Sequence, residues 1–323
     1  MCVPAAAALT KGHAHQPLSL RQDEIRHIVA RRRDFESKIA RKAPALDDFL
    51  RYADYEKRLD RLRRRRKHRL GIRSNNGVSD HAGRRHIHFI YERMLRHFPH
   101  DVTLWMRYIG EALRSGSGRV LGRVFVRAIQ YHPTEPALWL RAAHWEWRHN
   151  RNAEAARTLL QRALRILTTS ADLWCEYVAF ELKQVEVVRE RRAVLGSAEV
   201  RSDDNEALGR FLGGEAARLA VHSAVAACPQ DLSLRLRLWR ICRLHPFAAP
   251  VVDDIEQSLQ RDFPDREDAI AAICLGPWEA SDVANPEKSA ATSAFTEAAS
   301  RFESQLLVRL GIFFAASSSC RTK

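Results

Sequence analysis

The chain has 323 residues, 46% hydrophobic and 28% charged, with a formal net charge of +14; this is the make-up of a soluble folded protein, long enough for a sizeable core. Few glycines (14) and prolines (12) disfavour a β-sandwich, no apolar run reaches membrane-spanning length, and six cysteines without a C-x-x-C pair argue against a disulfide framework or a zinc site. The charge is uneven: residues 21–100 hold 23 Lys and Arg against 11 Asp and Glu, whereas residues 246–323 hold 7 against 12, so polyanions are drawn to the N-terminal side.

In chain order, residues 1–20 read as a disordered segment; Ala-rich Met1–Leu9 is too short for a signal peptide and lacks its basic start. A basic helical region, 21–100, follows, with helices expected over Gln22–Lys42, Leu46–Leu70 and Arg84–His97 and a polar loop over Arg73–Gly83. Residues 101–195 hold helices at Asp101–Ser115, Arg119–Tyr131, Glu135–Asn150, Ala153–Thr168 and Ala171–Leu195. A loop is expected at 196–205, then further pairs within 206–275 at Glu206–Ala227, Asp231–His245 and Val251–Asp262. The tail, 276–323, is weakly patterned, with one last helix expected at Phe295–Phe314, and reads as an atypical or truncated end.

Self-similarity organises these elements. Trp105, Trp139 and Trp174 stand in Leu-Trp segments 34 and 35 residues apart, and Arg93, Arg127 and Arg162 hold the same two spacings. Two markers sharing one period indicate a structural repeat. Within a unit, Trp174, Tyr177 and Glu181 fall at i, i+3 and i+7 on one helical face, as do Phe49, Tyr52 and Glu56; Trp139 and Glu146 keep two of the three positions, and Trp105 with Tyr108 another two. Pro99 and Pro133 stop the second helices of their units, since proline lacks an amide and clashes with the preceding turn. A helix pair cannot bury its apolar face alone, so the pairs must stack. The expected fold is therefore all-α: a right-handed α-solenoid of helix pairs, HAT-like or TPR-like.

A repeat of this length with Trp, an aromatic three residues on and Glu seven on resembles the half-a-tetratricopeptide (HAT) repeat. More specifically, the segments Ile25–Glu36, Asp48–Tyr52, Ile87–Arg93 and Ile241–Phe247 resemble the family of U3 small nucleolar RNA-associated protein 6, over roughly Asp23 to Ile273. That resemblance implies a subunit of the small-subunit processome, in the UTP-B subcomplex beside WD40-propeller proteins. It further implies work near U3 snoRNA and the pre-rRNA, hence a nuclear and nucleolar location and a role in ribosome biogenesis. A HAT scaffold of splicing or 3′-end processing is the alternative.

The strongest partner signal is Arg61, Arg63, Arg64, Arg65, Arg66, Lys67, His68 and Arg69, interrupted only by Leu62. Such a run covers all azimuths of a helix, so several charges must face solvent. A nucleolar-targeting signal, contact with RNA phosphates and a solvated face are all compatible with it. Arg31, Arg32 and Arg33 form a weaker second cluster, for which Asp34 and Glu36 are potential partners. The repeated Trp residues are expected in the core, and Trp145 and Trp147 are off-pattern neighbours that could line a peptide groove. Glu146 and Glu181 are expected on a buried stripe, each satisfied by an arginine or a backbone amide, with Arg162 the candidate for Glu146. The pair His86 and His88 points to different helix faces, so no metal site is expected. No phosphate-binding loop, dinucleotide fingerprint or nucleophile elbow is present; no catalytic residue, cofactor, small-molecule substrate or membrane partner is expected.

Overall fold

A computed structural model describes residues 22–71, 78–195 and 208–264, with residues 266 and 269. Every regular element among the described residues is helical. The long helices are α1 (Gln22–Ile39), α2 (Leu46–Arg69), α3 (Val78–His97), α4 (Val102–Arg114), α5 (Gly118–Tyr131) and α6 (Pro136–Arg148). They continue as α7 (Ala153–Ile166), α8 (Ala171–Leu195), α9 (Glu215–Ala227), α10 (Leu232–Arg243) and α11 (Ala249–Asp262), the last preceded by a one-turn 3₁₀ helix, Pro246–Ala248. The expected loop at 196–205, the segment 1–20 and the helix at Phe295–Phe314 lie outside the described residues.

Helix starts follow from local chemistry. Asp101, Asn152 and Asp231 each accept a hydrogen bond from an amide of the first turn, of Thr103 (2.8 Å), Ala155 (3.0 Å) and Leu234 (3.0 Å), which satisfies a donor that has no partner within the helix. Two expectations are corrected. Helix α3 begins at Val78, so the second half of the predicted polar loop is helical. The single helix expected from Glu206 to Ala227 is broken at Gly213-Gly214, where Gly214 takes φ +79°, a conformation that favours glycine. A Cβ there would also lie 3.7 Å from the Phe247 ring.

The chain divides into two compact units, 1–138 and 139–323. In the first, α2 packs on α1 and α3, and α4 on α3 and α5; in the second, α8 packs on α7, α9 and α10, and α11 on α9 and α10. Contacts between near neighbours of this kind make each unit a stack of helix pairs, the α-solenoid arrangement.

The repeat positions build the core. Phe49 and Trp105 are fully buried, and Trp139 and Trp174 nearly so. Trp105 Nε1 donates to the Pro99 carbonyl and Trp174 Nε1 to the Thr168 carbonyl, both at 2.8 Å and both six residues upstream. The indole thus fills the helix interface and satisfies the end of the preceding helix. Arg235 takes this role in α10: it is buried, and its Nη2 donates to the Pro229 carbonyl at 2.8 Å, again six residues upstream. Its Nη1 reaches the Ser258 carbonyl (3.0 Å) and Asp262 (2.6 Å). The aromatics three residues on also stack: Tyr52 on Phe35 and Tyr108 on Tyr91, both with ring centroids 5.0 Å apart, while Tyr177 accepts from Gln161 at 3.0 Å. Arg127 lies over the Trp105 ring. Pro133 follows α5 as Pro99 follows α3.

The repeat glutamates follow one rule. Glu56 and Glu181, both buried, each receive a two-pronged arginine from the preceding helix, Arg32 (2.8 and 2.8 Å) and Arg157 (2.7 and 2.7 Å). Both arginines lie 24 residues upstream. The residue 24 before Glu146 is Gly122, and Glu146, only half-buried, accepts from Asn150 at 2.9 Å. The pairing expected between Glu146 and Arg162 does not form; Arg162 points to solvent on α7. Trp145 is buried, and Trp147 packs edge-on against Phe180 at 5.3 Å, so this pair serves the core of the second unit rather than a groove.

Candidate nucleic-acid interface

Helix α2 buries one stripe: Phe49, Tyr52, Ala53, Glu56, Asp60 and Lys67. That stripe fixes the direction of every charge in the basic run. Arg66, on its flank, makes a two-pronged bond to Glu24 of α1 (2.8 and 2.7 Å), and this bond raises its pKa further. Arg64 pairs with Asp60 at 2.6 Å. Arg63 is half-buried and Lys67 buried. These four charges serve the fold.

Opposite Phe49 stand Arg58, Arg61, Arg65 and Arg69, all exposed. Their spacing of three, four and four residues confines them to an arc of about 80°, along about 16 Å of helix. None of the four has an ion pair among the described residues; Arg61 Nε makes one bond, to its own helix at the Lys57 carbonyl (3.3 Å). A guanidinium stays charged at any physiological pH and offers a planar fork of donors that matches a phosphate. Four of them in a row form a track for a polyanion. Arg58 lies outside the Arg61–Arg69 run, and its place nine residues from Phe49 puts it opposite the buried stripe.

The second cluster is split in the same way. Arg32 turns inward to Glu56 rather than to the potential partners Asp34 and Glu36, because position 32 faces α2. Burial works against its charge, and the bonds it donates to Glu56 more than offset this, so its pKa is raised. Glu36 instead receives Arg93 at 2.7 Å. Arg31 and Arg33 are exposed. Nearby His86 bonds the Tyr52 hydroxyl at 2.8 Å, and burial lowers its pKa. Among the described residues no group of three or more His, Cys, Asp or Glu is placed to hold a metal ion, and no helix is long and apolar enough to cross a membrane. Cys175, Cys228 and Cys242 are buried free thiols whose pKa values burial raises.

Comparison with known proteins gives two family matches. Residues 19–87, which include the arginine stripe, match the model of U3 small nucleolar RNA-associated protein 6, and residues 87–198 match that of the N-terminal HAT repeat of pre-mRNA-splicing factor Syf1/CNRKL1. The U3 small nucleolar RNA-associated protein 6 of Schizosaccharomyces pombe is 38% identical over 174 residues, 54% of this chain and 36% of that protein. The human homologue is 28% identical over 237 residues, 73% of this chain and 40% of its own length. The Dictyostelium discoideum homologue is 28% identical over 167 residues, 52% and 27%. The chain thus spans about a third of the length of the curated relatives it matches. On its N-terminal helices and on the repeats that align with these relatives, the chain is similar to U3 small nucleolar RNA-associated protein 6.

Proposed function

We propose that the chain is a non-enzymatic helical-repeat scaffold of the small-subunit processome. In this reading it works with U3 snoRNA and the WD40-propeller proteins of the UTP-B subcomplex in pre-18S rRNA processing, in the nucleus and nucleolus. The observation that carries RNA contact is the row Arg58, Arg61, Arg65 and Arg69, left without ion pairs among the described residues on a helix whose other arginines are tied down. The names of the relatives supply the identity of the RNA, and the stacked pairs supply an extended surface for protein partners. The HAT match over residues 87–198 to a splicing factor favours a second reading, a scaffold bound to spliceosomal RNA.

Binding of the purified chain to a U3 snoRNA transcript across 50–200 mM salt tests the RNA contact. Each neutralised phosphate adds about 0.7 to the salt slope for single strands, so R58Q/R61Q/R65Q/R69Q should lower the slope by up to about three. An unchanged slope in this variant would remove α2 as the contact.

A further inference from the structure

The α2 stripe lies on a first helix of a pair; the second helices α3 and α5 carry an independent basic surface. Together they hold seven arginines against Asp80 and Glu92, and α5 holds no acidic residue at all. Arg85, Arg119 and Arg123 are exposed and form no ion pair among the described residues. Among them stands an aromatic ring that the core does not need. Phe89 is 45% exposed, one turn from Arg85, in a helix that buries Ile87, Ile90, Tyr91, Met94 and Leu95. The ring is nonetheless held in place. The Arg93 guanidinium lies 5.4 Å from its centroid, and the His86 ring is near-parallel at 6.3 Å and 23°. Arg93 is itself fixed by Glu36, and His86 by Tyr52.

The two helices flank one side chain. Tyr108 of α4 stacks on Tyr91 of α3 with ring centroids 5.0 Å apart, α4 packs on α5, and His88 of α3 bonds Ser117, at the start of α5, at 3.2 Å. Tyr108 is 1% exposed, and its hydroxyl has no hydrogen-bond partner among the described residues.

We propose that the outer face of α3 and α5 binds single-stranded RNA, stacking a base on Phe89 and taking the adjoining phosphates on Arg85, Arg119 and Arg123. This rests on the RNA-binding reading above but uses different residues. Arg119 and Arg123 on α5, like Arg85 and Phe89 on α3, are four residues and so about 6 Å apart along the helix, and an oriented, solvent-facing ring amid guanidiniums is the platform that sequence-tolerant single-strand recognition employs. A duplex hides its base faces and cannot stack on the ring, so the site discriminates between the two forms.

The test is equilibrium binding of the full chain to a fluorescein-labelled single-stranded 12-mer and to the matching duplex, with F89A, F89Y and R85Q/R119Q/R123Q. F89A should weaken single-strand binding about tenfold with an unchanged salt slope, leave duplex binding alone, and be rescued by F89Y. The triple variant should lower the single-strand slope by about two. Equal losses for single strand and duplex in F89A, or no loss, would overturn the proposal. Loss of binding in the α2 variant with F89A unaffected would leave RNA binding standing and remove only this site. No RNA binding by the wild-type chain would overturn both.

Discussion

The pair Arg157 and Glu181 allows a sharp test of how the repeat is held together. Glu181 is 1% exposed, whereas the Arg157 side chain is 36% exposed. Both N–H···O bonds are 2.7 Å long. In R157M the carboxylate stays buried without its counter-charge, which costs about 3–5 kcal/mol. In E181L the guanidinium keeps water and its place near the Phe180 ring, and about 1 kcal/mol is lost. With both replaced, nothing charged is left in the interface, and the double variant should lie within about 1 kcal/mol of wild type. The cycle therefore yields a coupling of at least about 3 kcal/mol. Urea unfolding gives the global values, and hydrogen exchange on α7 and α8 reads the second unit by itself. An E181L variant less stable than R157M, or a coupling near zero, would refute the reasoning.

Three further outcomes follow from the helix ends and interfaces. R235L removes the donors to Pro229, Ser258 and Asp262 and should cost about 3 kcal/mol in urea unfolding, because buried carbonyls lose their partners; a cost below about 1 kcal/mol would show that Arg235 does not act as the indole does. Bonds from Arg261 and then Arg235 hold the Asp262 carboxyl down to about 2, below its unfolded value. Its stabilising contribution is therefore full above about pH 5 and is lost as pH falls through 4 towards 2. D262N should show a flatter acid limb than wild type in that window, and an identical limb would contradict the assignment. D101A removes the cap of α4 and should cost about 1 kcal/mol, read as faster amide exchange in the first turn of α4, with no effect on exchange in α8.

The periodic signals were legible because they are steric. Trp105, Trp139 and Trp174 each need the same pocket, so the spacing that places them is the spacing of the fold. Positions defined by a function rather than a residue type were harder to see. Arg235 stands where the indole stands elsewhere, and only its bond six residues upstream reveals the equivalence. Glu146 keeps the repeat residue but has Gly122 where its fellows have arginine, so a rule drawn from the glutamate alone assigned it the wrong partner, Arg162. The basic run of α2 was plain as composition. Which of its charges are available became clear only once Phe49, Tyr52 and Glu56 fixed the inward face and Glu24 and Asp60 claimed Arg66 and Arg64. Phe89 gave no signal by itself, since an aromatic residue in an apolar pattern reads as core.

Cross-linking of the protein to RNA in cells, followed by sequencing of the attached RNA, tests the central claim most directly. The account predicts enrichment of U3 snoRNA and pre-rRNA, with the signal reduced by R58Q/R61Q/R65Q/R69Q. Enrichment of spliceosomal small nuclear RNAs, or a signal that the quadruple variant leaves intact, would contradict it.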